Sequence, residues 1–178
     1  MNRKPGLITF ILVLCAVGHV AVARPRPGRG KRFEANKVFG AGLELGAPTG
    51  LNGKYFFQSD RAIDFGLGWD DYYGYRDGFN LYADYLWHPL SLASLEPFEL
   101  PLYFGIGARI WDFNDPHNDD RGVALGARVP LGISFDFNNQ PFDIYVQLVF
   151  VADFFIDYGP HSFYPGLEGG VGVRYWFE

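Results

Sequence analysis

The feature that most constrains this chain is an alternation with a period of two residues, clearest in its last stretch, GLEGGVGVRYWFE. Every second residue from Leu167 gives Leu167, Gly169, Val171, Val173, Tyr175 and Phe177, and the complementary set is Glu168, Gly170, Gly172, Arg174 and Trp176. In a strand these sets face opposite sides. One side is apolar and ends in two aromatics. The other carries an acid, glycines, an arginine and a tryptophan. That division suits a strand with one face against lipid and the other against a polar, tightly filled interior.

The pattern recurs from residue 38 onward, broken by turn signals, and predicts eight strands near 38–47, 51–58, 62–69, 79–88, 100–111, 121–137, 142–154 and 166–178. In the third, Ile63, Phe65, Leu67 and Trp69 oppose Asp64, Gly66 and Gly68, and in the fifth, Leu102, Phe104, Ile106, Ala108 and Ile110 oppose Tyr103, Gly105, Gly107, Arg109 and Trp111. The sixth is long enough to overshoot a bilayer at about 3.3 Å per residue. Phe56 and Leu86 are apolar residues on the inward face. In the seventh strand Val149 and Val151 also turn inward, which calls for a bulge or a drier stretch of interior. With both termini on one side, the far loops fall at 47–51, 70–78, 112–120 and 155–165, and the near turns at 58–62, 89–99 and 137–141. The turn 89–99 is long for its side, and a short helix is expected over 90–95.

Composition enters because it separates two membrane architectures. Aromatics are 19% of the 178 residues and there are 23 glycines, yet mean hydropathy is -0.03. A helical membrane protein would not be neutral, and beyond the N-terminus no apolar run of about 18 residues exists to span a bilayer as a helix. A barrel dilutes its lipid-facing residues with polar ones. The expectation is therefore an all-β, eight-stranded antiparallel up-and-down transmembrane β-barrel over 38–178.

Two segments precede it. Residues 1–23 read as a signal peptide: Arg3 and Lys4, an apolar run over 7–17, and Ala21-Val22-Ala23 before a mature start at Arg24. The alternative is an uncleaved anchor, because positive charge after a cleavage site hinders export. The sole cysteine, Cys15, follows Leu14, which does not fit lipidation. Residues 24–37 hold six cations and one acid and are rich in Pro and Gly, whereas 38–178 has a net charge of -12. The basic stretch is expected to be an extended periplasmic linker. Behind a signal peptide it is not a nucleic-acid arm.

Alternation places Glu44, Lys54, Asp64, Asp84, Arg109, Arg128, Asp143, Glu168 and Arg174 inside. Four cations against five acids, in an interior wide enough only for side chains, imply a network of ion pairs that plugs the lumen. The inward glycines then make room for Arg and Tyr side chains from neighbouring strands. The readings weighed against the plug are a narrow pore for ions or small solutes and a lumenal ligand site.

Other chemistry is thinly supported. His88, beside Trp87 at a strand end, reads as interfacial. The loop 112–120 carries Asp112, Asp115, His117, Asp119 and Asp120, but in no EF-hand spacing, so no metal ligand is assigned. His161 and Ser162, with Asp157 and Glu168 near, share the residue types of outer-membrane lipid A-modifying barrels, yet they are adjacent rather than spaced. No catalytic residue and no cofactor is assigned, and the chain is not expected to be an enzyme. Tyr72, Tyr73, Tyr75, Phe163 and Tyr164 could give the loops an adhesive or headgroup-level tip for an extracellular ligand.

With the strands laid out, the chain resembles the eight-stranded outer-membrane barrels of the OmpA and OmpX type. GLELGAPTGLNGKYF (42–56), AIDFGLGW (62–69), LYADYLWH (81–88), LPLYFGIGARI (100–110), VPLGISF (129–135) and GVGVRYWF (170–177) are similar to a family of small outer-membrane barrels from spirochaetes and proteobacteria. The resemblance implies fold and location: a bacterial outer membrane with periplasmic termini, and its lipid as partner. It carries no activity or site residues. Gly172, Tyr175 and Phe177 are similar to the signal read by the barrel-assembly machinery, with Glu178 following where a terminal aromatic is usual. The function expected is structural or surface-interacting, with the narrow pore second and a lipid-modifying enzyme third.

Overall fold

The computed structural model describes residues 31–72, 76–115, 120–156 and 163–177. They form β1 (Phe39–Gly46), β2 (Thr49–Gln58), β3 (Arg61–Tyr72), β4 (Arg76–Ser94), β5 (Phe98–Asp115), β6 (Asp120–Phe137), β7 (Phe142–Ile156) and β8 (Phe163–Phe177). Each strand pairs antiparallel with its neighbours in sequence, and β1 pairs with β8, so the sheet closes into a barrel without an open edge strand. No helix occurs among the described residues.

Register explains how the interior fills. From Gly40 the ladder partners run Lys54, Asp64, Asp84, Gly107, Arg128, Val151 and Gly166. Across the seam, however, Gly40 meets Trp176, ten residues further along β8 than Gly166. That stagger goes with the strand tilt of about 35–45° in closed barrels, and eight strands leave an interior that side chains just fill. Within the row Asp84 and Arg128 are separated only by Gly107, which has no side chain to keep them from pairing across it.

Several expectations are corrected. The helix at 90–95 is absent: β4 continues to Ser94, and its register against β5 shifts once between Trp87 and Leu90 and again between Ser91 and Ser94. Pro89 lies in the first shift, where a residue without an N–H fits a bulge rather than a regular ladder. β7 needs no bulge, since its pairing with β6 and β8 is unbroken, and Val149 and Val151 are buried as the drier stretch of the interior. Residues 31–37, expected to be part of a free linker, are docked on the end of the barrel that carries the termini. Ser91 N donates to Lys31 O at 2.8 Å and Ala35 N to Ser59 O at 2.7 Å. Lys37 pairs with Asp136, and Phe33 is buried beneath the strands. Residues 1–30 lie outside the described residues.

Gly46, at a φ of 140°, ends β1 in backbone territory that L side chains avoid, and Thr49 clasps the turn by hydrogen bonds to its N–H and carbonyl. The β1–β2 turn is thereby cut to two residues.

Candidate functional site: an ionic lumen

All nine charged residues assigned to the interior are buried. They sit in three tiers between the far rim and the end that carries the termini.

In the upper tier Arg109, rising from β5, is held bidentately by Asp153 of β7, with Nε to Oδ1 at 2.9 Å and Nη2 to Oδ2 at 2.5 Å. Its Nη1 donates to Glu168 of β8 at 2.8 and 3.0 Å and to Asp70 of β3 at 3.4 Å. Asn80 Nδ2 donates to the same Asp70 oxygen at 3.1 Å. Beside it, Arg128 Nε donates to both Asp84 oxygens at 3.1 and 3.2 Å, its guanidinium lies 4.0 Å over the Tyr82 ring, and Nη1 is 4.0 Å from Glu168.

The middle tier is mainly neutral donors around one acid. Glu44 accepts from Tyr82 Oη at 2.6 Å and from Gln147 Nε2 at 2.7 Å, and Asn52 Nδ2 donates to Tyr82 Oη at 2.8 Å and to Asp64 at 3.1 Å. Such charge-assisted bonds are what let an acid remain in a dry interior.

In the lower tier Arg174 joins two strands. Its Nε and Nη2 donate to Asp143 at 3.1 and 3.0 Å, its Nη1 to Asp64 at 2.9 Å, and its plane stacks 4.0 Å over Tyr145. The Tyr145 ring occupies the space left by Gly172, where even a Cβ would collide with it. Gly66 makes the same allowance for Tyr82, with a Cβ placed there falling 2.6 Å from the ring. Lys54 has no carboxylate within ion-pair distance among the described residues. Its Nζ lies 2.7 Å from His88 Nε2, 4.6 Å from the Tyr103 ring centre and 5.1 Å from that of Phe56. His88 is therefore lumenal, not interfacial, in phase with Asp84 and Leu86 along β4.

A hydrophobic floor closes this end. Phe33, Phe56, Leu86, Tyr103 and Trp176 cluster there, with Phe33 5.8 Å from Phe56 and 5.4 Å from His88 between ring centres. The exceptions at Phe56 and Leu86 thus belong to one feature.

Reading by alternation missed Asp70, Asp153, His88 and the strap residue Phe33. Asp70 and Asp153 are in phase with Asp64 and Asp143; Asp70 lies past the predicted end of the third strand at 69, whereas Asp153 lies inside the predicted seventh strand, next to the inward Val149 and Val151 that obscured its phase. Gly172 lies opposite Glu44 and Tyr145, while Tyr175 and Phe177 face outward with Phe177 stacked 5.7 Å from Phe39; Glu178 lies outside the described residues. Asp112 is exposed on β5, and Asp115 and Asp120 pair at the tip of the β5–β6 hairpin. His117, Asp119, Asp157, His161, Ser162, Tyr73 and Tyr75 lie outside the described residues. Among the described residues no group of three His, Cys, Asp or Glu is placed to hold a metal.

Fold and interior together define a closed eight-stranded antiparallel β-barrel whose lumen is filled by side chains, consistent with an OmpA- or OmpX-like architecture. No family model matches the chain, and neither a curated protein nor a solved structure matches it.

Proposed function

We propose that the protein is a bacterial outer-membrane barrel with both termini in the periplasm, a lumen plugged by its own side chains, and a structural or surface-interacting role. The observation that carries this reading is an inverted distribution of polarity. Arg109, Arg128, Arg174 and Lys54 are buried, while Leu43, Leu51, Leu67, Ile106, Leu131, Leu148 and Val173 are exposed around the outer wall. Aromatics flank that aliphatic band: Phe39, Phe57, Trp87, Phe135, Tyr175 and Phe177 toward the termini, and Trp69, Phe79, Phe154 and Phe163 toward the far rim. A water-soluble monomer rarely exposes an apolar patch above about 300–600 Å². A belt round all eight strands suits lipid, with aromatics at headgroup depth. Outer-membrane lipid is then the principal partner, and Gly172, Tyr175 and Phe177 present the assembly signal. Acidic and aromatic loop residues are left for an extracellular ligand.

The plug is preferred to a narrow pore because the ion pairs cross the lumen and the Phe33 floor lies under them. In planar bilayers the purified chain should give a flat baseline. Steady unitary currents that vanish with Arg128→Ala or Asp64→Ala would overturn the plugged-lumen reading in favour of conduction.

A further inference from the structure

The rim of the barrel is uneven. Among the described residues β3 and β4 stay paired up to Tyr72 and Arg76, β5 and β6 up to Asp115 and Asp120, and β7 and β8 up to Phe154 and Phe163. By contrast, β1 and β2 part after Glu44 and Gly50. The last bond from this hairpin to β8 runs from Ala47 N to Gly169 O at 3.1 Å. Beyond it, among the described residues, β8 from Phe163 to Glu168 pairs with β7 alone, leaving an edge of roughly 20 Å at ~3.3 Å per residue. Pro165 is in phase with Gly169, so the N–H it lacks is one that would have faced the vacant side. The wall therefore has a notch between β3 and β8, above the short hairpin.

Three independent features meet at this notch. Leu45, Trp69 and Leu167 border it at 63%, 65% and 66% exposure, more than any other large apolar side chain described. Directly below, the outer wall holds an apolar hollow of about 440 Å³ over Ala41, between Leu43, Leu51, Leu67 and the Phe65 ring, which itself covers Gly53. Behind it, Asp70 and Glu168 are the first inward residues above the hairpin on its two flanking strands, and with Asp153 they set three carboxylates round Arg109. Asn80 Oδ1, fully buried beside Asp70, has no hydrogen-bond partner among the described residues.

We propose that the notch binds a single-chain amphiphile with a cationic, amine-bearing headgroup. The alkyl chain lies in the hollow beneath Leu45, and the ammonium group enters between β3 and β8 toward Asp70, Glu168 and Asn80 Oδ1. An ammonium brings three donors and no acceptor, which matches a recess where Asp70, Asp153 and Glu168 outnumber Arg109 and the Asn80 carbonyl is unused. An anionic headgroup would meet net negative charge instead. The site rests on the outer-membrane reading above, since it presumes that the outer wall faces lipid.

The full chain, folded in neutral maltoside micelles, can be titrated with dodecylamine, dodecanoic acid and dodecanol and its adducts counted by native mass spectrometry. One saturable dodecylamine adduct is expected, bound about tenfold more tightly than the other two, the scale of one charge-assisted contact. Ala41→Leu, which fills the hollow from the lipid side, and Glu168→Gln should each weaken it by a similar factor. Asp70→Asn serves if Glu168→Gln does not fold, and Leu131→Ala, on β6 across the barrel from the hairpin, should leave binding unchanged. Equal binding of all three compounds, no saturable adduct, or indifference to both substitutions overturns the site. A dimer that Ala41→Leu disperses would assign the hollow to a second copy and also overturn it. The same samples are run boiled and unboiled on a detergent gel: identical migration means that the barrel reading has failed, whereas a heat-modifiable barrel without amine binding sinks only this site.

Discussion

Arg109 touches acids on three different strands, Asp70 of β3, Asp153 of β7 and Glu168 of β8, so one guanidinium ties together parts of the wall that are not all neighbours. Removing one partner of a buried ionic cluster costs about 3–5 kcal/mol, because the charges left behind are unpaired. Arg109→Ala should accordingly lower the urea midpoint of the refolded barrel far more than Glu44→Gln, which loses about 1 kcal/mol by disturbing one of two hydrogen bonds. Arg109→Lys should fall between, since an ammonium cannot reproduce the bidentate grip on Asp153. Equal midpoints for Arg109→Ala and Glu44→Gln would show that the upper tier does not hold the strands together. At this scale the interior was legible wherever a polar residue alternated with an apolar one. Asp70 escaped because its neighbour Asp71 breaks the apolar series, and His88, although in phase with Leu86, because a histidine beside Trp87 at a strand end reads as interfacial.

Among the elements, the strap 31–37 departs furthest from what its composition suggests. The Pro and Gly residues of the 24–37 tract stop at Gly30, and within 31–37 Phe33 buries its ring against Phe56 and His88, while Lys37 reaches Asp136, Phe137 O and Gln140 O. Truncating a buried Phe costs about 3–5 kcal/mol, enough to release a segment held by so few contacts. Phe33→Ala should therefore leave the barrel intact while trypsin cuts much faster at Lys31, Arg32 and Lys37. An unchanged cleavage rate would mean that Phe33 does not hold the strap. One aromatic in a basic tract gives no period to read, which is why alternation passed over it. The helix expected over 90–95 failed for a related reason: β4 keeps pairing through two register shifts, and a shifted strand loses the strict period of two by which strands are recognised.

At the scale of the whole molecule the closed sheet was legible because every strand needs an apolar side and a polar side, and eight such strands leave no edge only if they close. Its surroundings can be tested with the four tryptophans of the chain, because the barrel divides them evenly. Trp69 and Trp87 lie on the outer wall at 65% and 38% exposure, and Trp111 and Trp176 are inside at 2% and 3%. In vesicles of lipid brominated along the acyl chain, bromine quenches by near contact, so wild-type emission should fall strongly. With Trp69→Phe and Trp87→Phe combined, the remaining two indoles sit behind the sheet, and most of the quenching should disappear. Both outer substitutions keep an aromatic ring at the wall, so the double variant should fold and insert as the parent does. Wild-type emission indifferent to bromine would mean that the apolar wall meets something other than lipid. Strong quenching that survives the double substitution would instead place lipid chains inside the barrel, which the ion-paired lumen does not admit.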